Sequence, residues 1–230
     1  MGSVSRYRTG GYTIGMISCN NANSKPNAPG RPKDPGKRAA ILDAAKRLFV
    51  TLGYERVSMD QIAAEAGVSK LTVYSHFGDK ESLFGEAVRA HCEQGMPVSL
   101  FDAEPGTPVR ERMLAIGRAF FAMVMDPGAI AGHRILCSPQ VTSSSLATVF
   151  WEAGPQRVQA AFAALLQRRT ASGELDIADT ELAAAQFFTL LKGEPHMQAV
   201  FGYCCGRRDP DPEKHVVEAV DFFLRAYAHR

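Results

Sequence analysis

Apolar residues recur every three or four positions along most of the chain and almost never alternate with period two, which predicts an all-α protein. Ile41, Leu42, Ala45, Leu48, Phe49 and Leu52 form one helix face that begins near Gly36, and Gly53 stops it. Ser58 opens a second helix. Gln61 stands three residues on, the spacing of a capping box, and Ala66-Gly67 ends the helix. Ser69 caps a third helix that ends near His76-Phe77-Gly78. Asp79 caps a fourth that runs to about Glu93, with Leu83, Phe84, Ala87 and Val88 on one face. A stretch punctuated by Pro and Gly, Met96 to Pro108, separates this unit from longer patterns. Residues 109–125 carry Met113, Ile116, Phe120, Phe121 and Val124. Residues 129–137 fit a short helix, and 142–170 a long one interrupted near Gly154-Pro155. Residues 179–192 carry Leu182, Phe187, Leu190 and Leu191. Helix resumes at 196–203 after breaks at Gly193 and Pro195, and 213–228 closes the chain.

The short second and third helices have the form of a helix-turn-helix at about 59–78. Two helices that cross steeply need a small residue at the crossing, which Ala63 supplies. Gly67 takes the positive φ of the turn without steric cost. Ile62, Val68 and Val73 are the apolar plugs, and Ser69 leaves the start of the second helix free to face a groove.

Charge sharpens this reading. The formal net charge is only +2, but residues 1–38 hold seven Lys/Arg against one acid, and the other 192 hold nineteen against twenty-three. A basic arm on a mildly acidic body points to a polyanionic partner at one end. No stretch approaches 18 apolar residues, so no membrane span or membrane partner is expected. The five cysteines are odd in number and form no CxxC. They are expected as reduced thiols in a cytoplasmic protein. His133 and Cys137 stand four apart but no third ligand accompanies them, so neither a metal nor another cofactor is expected.

Residues 37–88, with the L-G-Y corner, S-M-D-Q-I-A, A-G-V-S-K, V-Y-S-H-F and D-K-E-S-L-F, resemble the DNA-binding domain of TetR-type transcription regulators. The second half resembles the AefR-like C-terminal ligand-binding domain, through Phe150-Trp151-Glu152-Ala153-Gly154-Pro155, Gly173-Glu174-Leu175 and the Leu-Leu-Lys-Gly segment at 190–193. The resemblance implies a flexible basic arm over 1–35, a helix-turn-helix domain over 36–95, and a helical ligand-binding and dimerisation domain over 96–230. It implies a homodimeric, ligand-released repressor of a pseudo-palindromic operator, and no enzyme. The competing classes are a helical-bundle enzyme and an architectural DNA binder without ligand. No HExxH, GxSxG, P-loop or dinucleotide fingerprint supports the first, and the long aromatic C-terminal half opposes the second.

The first turn of a recognition helix reaches base edges, so Lys70, Leu71 and Thr72 are the expected readers. Thr72 offers a hydroxyl or a methyl, Lys70 reaches guanine or phosphate, and Leu71 offers apolar contact alone or packs as a plug. The resemblance places phosphate contacts at Tyr74 and His76, with Ser75 beside them. Lys80 begins helix four, where its charge and the helix end both suit a phosphate. Ser58 and Met59 are expected at the flanking backbone. Arg31 and Lys33 in the arm fit a minor-groove hook, a non-specific phosphate contact or a solvated linker.

The resemblance also implies a pocket for a small apolar inducer among the C-terminal helices, with Phe121, Trp151 and Phe187 as its expected lining. The last helix carries two apolar stripes, Val216, Val220, Phe223 and Tyr227 on one and Val217 and Leu224 on another. Two stripes need two partners, the core and a second subunit, or else burial twice within one chain. The first stripe is taken as the dimer surface.

Overall fold

The computed structural model describes residues 34–102, 106–137, 145–203 and 211–228. Among them there is no strand, only one isolated bridge between Leu175 and Ala228. Helix α1 spans Pro35–Leu52. Its N-cap Asp34 accepts from the Gly36 and Lys37 amides, Pro35 sits where no amide is needed, and Gly53 at φ 83° ends it. Helices α2 (Met59–Glu65), α3 (Lys70–Phe77) and α4 (Lys80–Gly95) follow, capped by Ser58, Ser69 and Asp79 as their spacing predicts. A short 3-10 turn, Val98–Phe101, leads to α5 (Val109–Met125) and α6 (Pro127–Leu136), which meet at 66°. Helices α7 (Leu146–Ala153), α8 (Pro155–Ala171), α9 (Thr180–Phe201) and α10 (Pro212–Tyr227) complete the described chain.

Two boundaries differ from the periodicity. The helix expected over 129–137 begins at Pro127, because Asp126 accepts from the Gly128 and Ala129 amides and the proline stands at the first helical position. Pro155 likewise starts α8 rather than interrupting one long helix. Gly193, at φ 50° and ψ −157°, is non-helical and divides α9 into two helical segments, as the break expected at Gly193 and Pro195 requires. Pro195 removes the amide that would bond the Leu191 carbonyl, and the His215 Nε2–H of α10 donates to that carbonyl instead at 2.8 Å.

Two apolar clusters hold the fold. The first joins α1 to α4 around Ile41, Ile62, Val73 and Leu83. The second is larger and centres on α5, α8, α9 and α10, where Phe162 stacks on Phe187 at 4.5 Å and Phe187 meets Phe223 edge-on at 5.0 Å. Helix α10 approaches α5 closely because residue 117 is glycine; a Cβ there would lie 3.1 Å from Val216 Cγ1. Arg110 to Asp221 and Arg118 to Glu213 tie the rims of this pair. Helix α1 also packs on α6, and α4 on α7, so the first cluster lies directly against the second unit's helices.

Candidate nucleic-acid interface and ligand cavity

Local caps position the recognition element. Ser58 Oγ accepts from the Gln61 amide at 3.2 Å, and Gln61 Oε1 accepts from the Ser58 amide at 2.8 Å, so both sides of the capping box form. Gly67 turns at φ 65°, and the Val68 amide bonds the Ala63 carbonyl at 3.0 Å across the turn. Ala63 is 4% exposed at the crossing and Val73 is fully buried. Ser69 accepts from the Thr72 amide and shares a hydroxyl–hydroxyl bond with Thr72 at 2.8 Å. At the far end, Asp79 accepts from the Ser82 amide at 2.7 Å, and that bond holds its carboxyl below the usual carboxylate range.

Helix α3 therefore has a sharply divided surface. Val73 and Phe77 point inward, four residues apart, while Lys70, Leu71, Tyr74 and Ser75 are exposed. Leu71 is 79% exposed, which removes the plug alternative. An isolated leucine presented this openly on a recognition helix has no partner in its own fold. Lys70 donates to Asp60 of α2 at 2.9 Å in an exposed pair of little net energy, so its charge is easily exchanged to another anion. His76 is half-buried, and its Nδ1 has no hydrogen-bond partner.

Two expected contacts are placed differently. The Met59 side chain is 6% exposed in the first cluster, so only its backbone faces outward; an apolar residue at the first helical position packs under the turn. Lys80 turns back to the corner before α2. Its Nζ donates to the Tyr54 carbonyl at 3.1 Å and lies 4.2 Å from the Tyr54 ring centroid. Arg31 and Lys33 lie outside the described residues, as do Cys204 and Cys205.

A cavity of about 540 Å³ lies between the two clusters. Helices α1 and α4 of the helix-turn-helix unit form one wall, through Phe49, Val50, Phe84 and His91. The other wall includes Phe120, His133, Phe150, Trp151, Phe188 and Lys192. Trp151 is where the lining was expected, but Phe121 and Phe187 are not part of it. Phe121 packs on the His215 ring at 5.1 Å, and Phe187 is sealed between Phe162 and Phe223. Neighbouring helical positions point about 100° apart, so the cavity takes Phe120 and Phe188, whose centroids are 4.5 Å apart. The cavity is chemically quiet. Burial pushes the Cys92 thiol up to about 11 and, with the nearby His196 and Lys192, brings His133 down to about 4. Among the described residues no group of three His, Cys, Asp or Glu is placed to hold a metal ion.

The expected dimer stripe also needs correction. Val216, Val220 and Phe223 are at most 2% exposed and form the second cluster's own core, because Gly117 lets α5 accept them. The Tyr227 hydroxyl donates to Gln186 of α9. The exposed large apolar side chains of α9 and α10 include Phe222, at 56%, and Leu182, at 52%, with Met197 and Phe201 beyond the Gly193 break. Residue 222 precedes the buried Phe223 and so points away from the core.

Both parts of the chain match known families. Residues 41–87 match the family of bacterial regulatory proteins of the tetR type, and residues 111–229 match the C-terminal domain of AefR-like transcriptional repressors. A structure from Mesorhizobium loti assigned to the TetR-family transcriptional regulators superposes with a TM-score of 0.70 at 30% identity, over 86% of this chain and 99% of that one. The flavonoid-responsive regulator FrrA superposes with a TM-score of 0.67 at 29% identity, over 86% and 100%. The transcriptional activator FasR of Mycolicibacterium smegmatis is 34% identical over 46% of this chain, so the match spans about half, 47%, of that protein. Among the described residues no single helix is long and apolar enough to cross a membrane. A capped helix-turn-helix with an open recognition face, followed by the helical domain of the AefR-like branch, makes this chain a member of the TetR family of DNA-binding transcriptional regulators, not an enzyme.

Proposed function

We propose that the chain is a ligand-released repressor that binds a pseudo-palindromic operator as a homodimer in the cytoplasm. The observation that carries the DNA reading is the outer face of α3, where Leu71 is 79% exposed between Lys70 and Thr72 at the helix start. Lys70, Leu71 and Thr72 would meet base edges, the leucine through a thymine methyl. Tyr74, Ser75, His76, the Ser58 turn and the start of α4 at Lys80 would meet phosphates, after Lys80 leaves the Tyr54 carbonyl. The arm with Arg31 and Lys33 would track the adjacent groove. The functional division then runs as an arm over 1–35, a reading unit over 36–95 and a sensing unit over 96–230.

The cavity supports release by a ligand, because its wall belongs partly to the reading unit. Phe84 of α4 meets Phe49 and Tyr54 edge-on at 5.4 Å, all three line the cavity, and Lys80 sits on the Tyr54 ring. A small apolar molecule that moves this aromatic trio would move α4 and, with it, α3. FrrA, by its name responsive to flavonoids, has the same architecture. A ligand that binds the non-reading arrangement better must, by linkage, be weakened equally by DNA.

A dimer would bury Phe222 and Leu182. Phe222→Glu is expected to yield monomers in sedimentation and to lower the thermal melt only by the lost subunit contact, since the side chain is exposed in the single chain. An unchanged dimer would remove Phe222 from the interface. The operator reading is checked by anisotropy with a labelled duplex from the DNA preceding the protein's own coding region. A preference over a shuffled duplex of about 10³-fold or more is expected at moderate salt. Equal affinity for both would contradict it.

A further inference from the structure

The cavity contains a charge that its walls do not answer. Lys192 lines it on α9, half-buried, and burial alone depresses its ammonium below the usual lysine range. Among the described residues no carboxylate pairs with it. Among the described residues the one acid on the wall, Asp126, is committed to the α6 N-terminus, where it accepts from the Gly128 and Ala129 amides at 2.8 and 3.3 Å. Arg47, also on the wall, pairs outward with Glu65 at 3.0 Å.

The neighbours of Lys192 add polarity without negative charge. His133 Nδ1 lies 3.4 Å from His196 Nε2, and burial first, with the charge of Lys192 adding to it, disfavours protonation of both rings. The lysine is also held in place. The Gly193 kink follows it directly, locked by the bond from His215 to the Leu191 carbonyl. A buried ammonium without a counter-charge costs free energy in the empty protein. A bound anion reverses that cost, whereas a neutral apolar ligand deepens it by removing the remaining water.

We propose that the cavity selects an amphipathic organic carboxylate, its charged head on Lys192 beside His133 and its apolar body against Trp151, Phe120 and Phe188. The proposal rests on the reading of this cavity as the regulator's ligand site, and it narrows the inducer from an apolar molecule to an apolar anion.

The test uses dodecanoate and dodecan-1-ol, which share a tail and differ in head charge. The chain has a single tryptophan, and Trp151 lies on the wall, so its fluorescence reports binding of either probe. The full-length protein is expected to bind dodecanoate at least about tenfold more tightly than dodecanol, as a charge-assisted contact in a shielded site would give. In Lys192→Met, which keeps the length and removes the charge, the two affinities should converge to within about twofold, with dodecanol binding retained or improved. The variant is expected to melt no lower than the parent, because it removes an unpaired buried charge. Equal affinities in the parent, a preference that survives in Lys192→Met, or no response to either probe would each overturn the proposal. Operator release is measured separately by adding dodecanoate to the protein–duplex complex. Tight, Lys192-dependent binding without release would leave the anion preference standing and count against the release mechanism.

Discussion

Replacing Leu71 with Asp is expected to weaken operator binding by about a hundredfold while leaving the fold intact. The side chain is 79% exposed, so its removal opens no cavity and strands no polar group. Helix propensity changes by only a few tenths of a kcal/mol between these residues. A carboxylate at this point would lose the apolar contact with a base edge and would meet the phosphate-lined groove with the wrong sign. The loss should fall on shuffled duplexes as well, because the repulsion does not depend on sequence, while the loss of base contact adds only at the operator. Thermal melts and anisotropy together check this. An unchanged melt with unchanged operator affinity would move α3 out of the groove.

Phe162→Ala should be among the most damaging single changes to stability, at about 3–5 kcal/mol. The ring is fully buried at the centre of the second cluster, stacked on Phe187 at 4.5 Å and tilted against Phe188 at 5.2 Å. Its neighbours come from helices fixed elsewhere by the α5–α10 contact at Gly117 and the rim pairs of Arg110 and Arg118, so they cannot collapse into the space. Against a typical total of about 5–15 kcal/mol, that is a large share. The urea midpoint should fall sharply, whereas Val98→Ala, at a side chain 71% exposed, should shift stability by less than about 0.5 kcal/mol. Similar midpoints for the two variants would mean that the second cluster is not the stabilising core.

The helix-turn-helix was legible because its signals are local. Ser58 with Gln61, Ser69 with Thr72 and Asp79 with Ser82 each act over three residues, and each forms as its spacing predicts. The cavity and the dimer surface were not legible, because they depend on how helices rotate against each other. Phe120 and Phe121, like Phe187 and Phe188, are adjacent aromatics of equal hydrophobicity, and periodicity does not say which one meets the cavity. In α10 the stronger apolar stripe faces its own core because residue 117, a hundred positions away, has no side chain. Lys192 carried a weak signal, a lysine after two leucines and before a kinking Gly193, but its lack of a carboxylate partner is a tertiary fact.

In the proposed complex two copies of α3 read successive major grooves of one operator. Methylation interference combined with footprinting on the DNA preceding the coding region tests it most directly. Two protected major-groove patches are expected on one face of the duplex, about 10–10.5 bp apart and related by a pseudo-twofold, with both patches lost in Leu71→Asp. Protection of a continuous tract without that spacing, insensitive to Leu71→Asp, would contradict it.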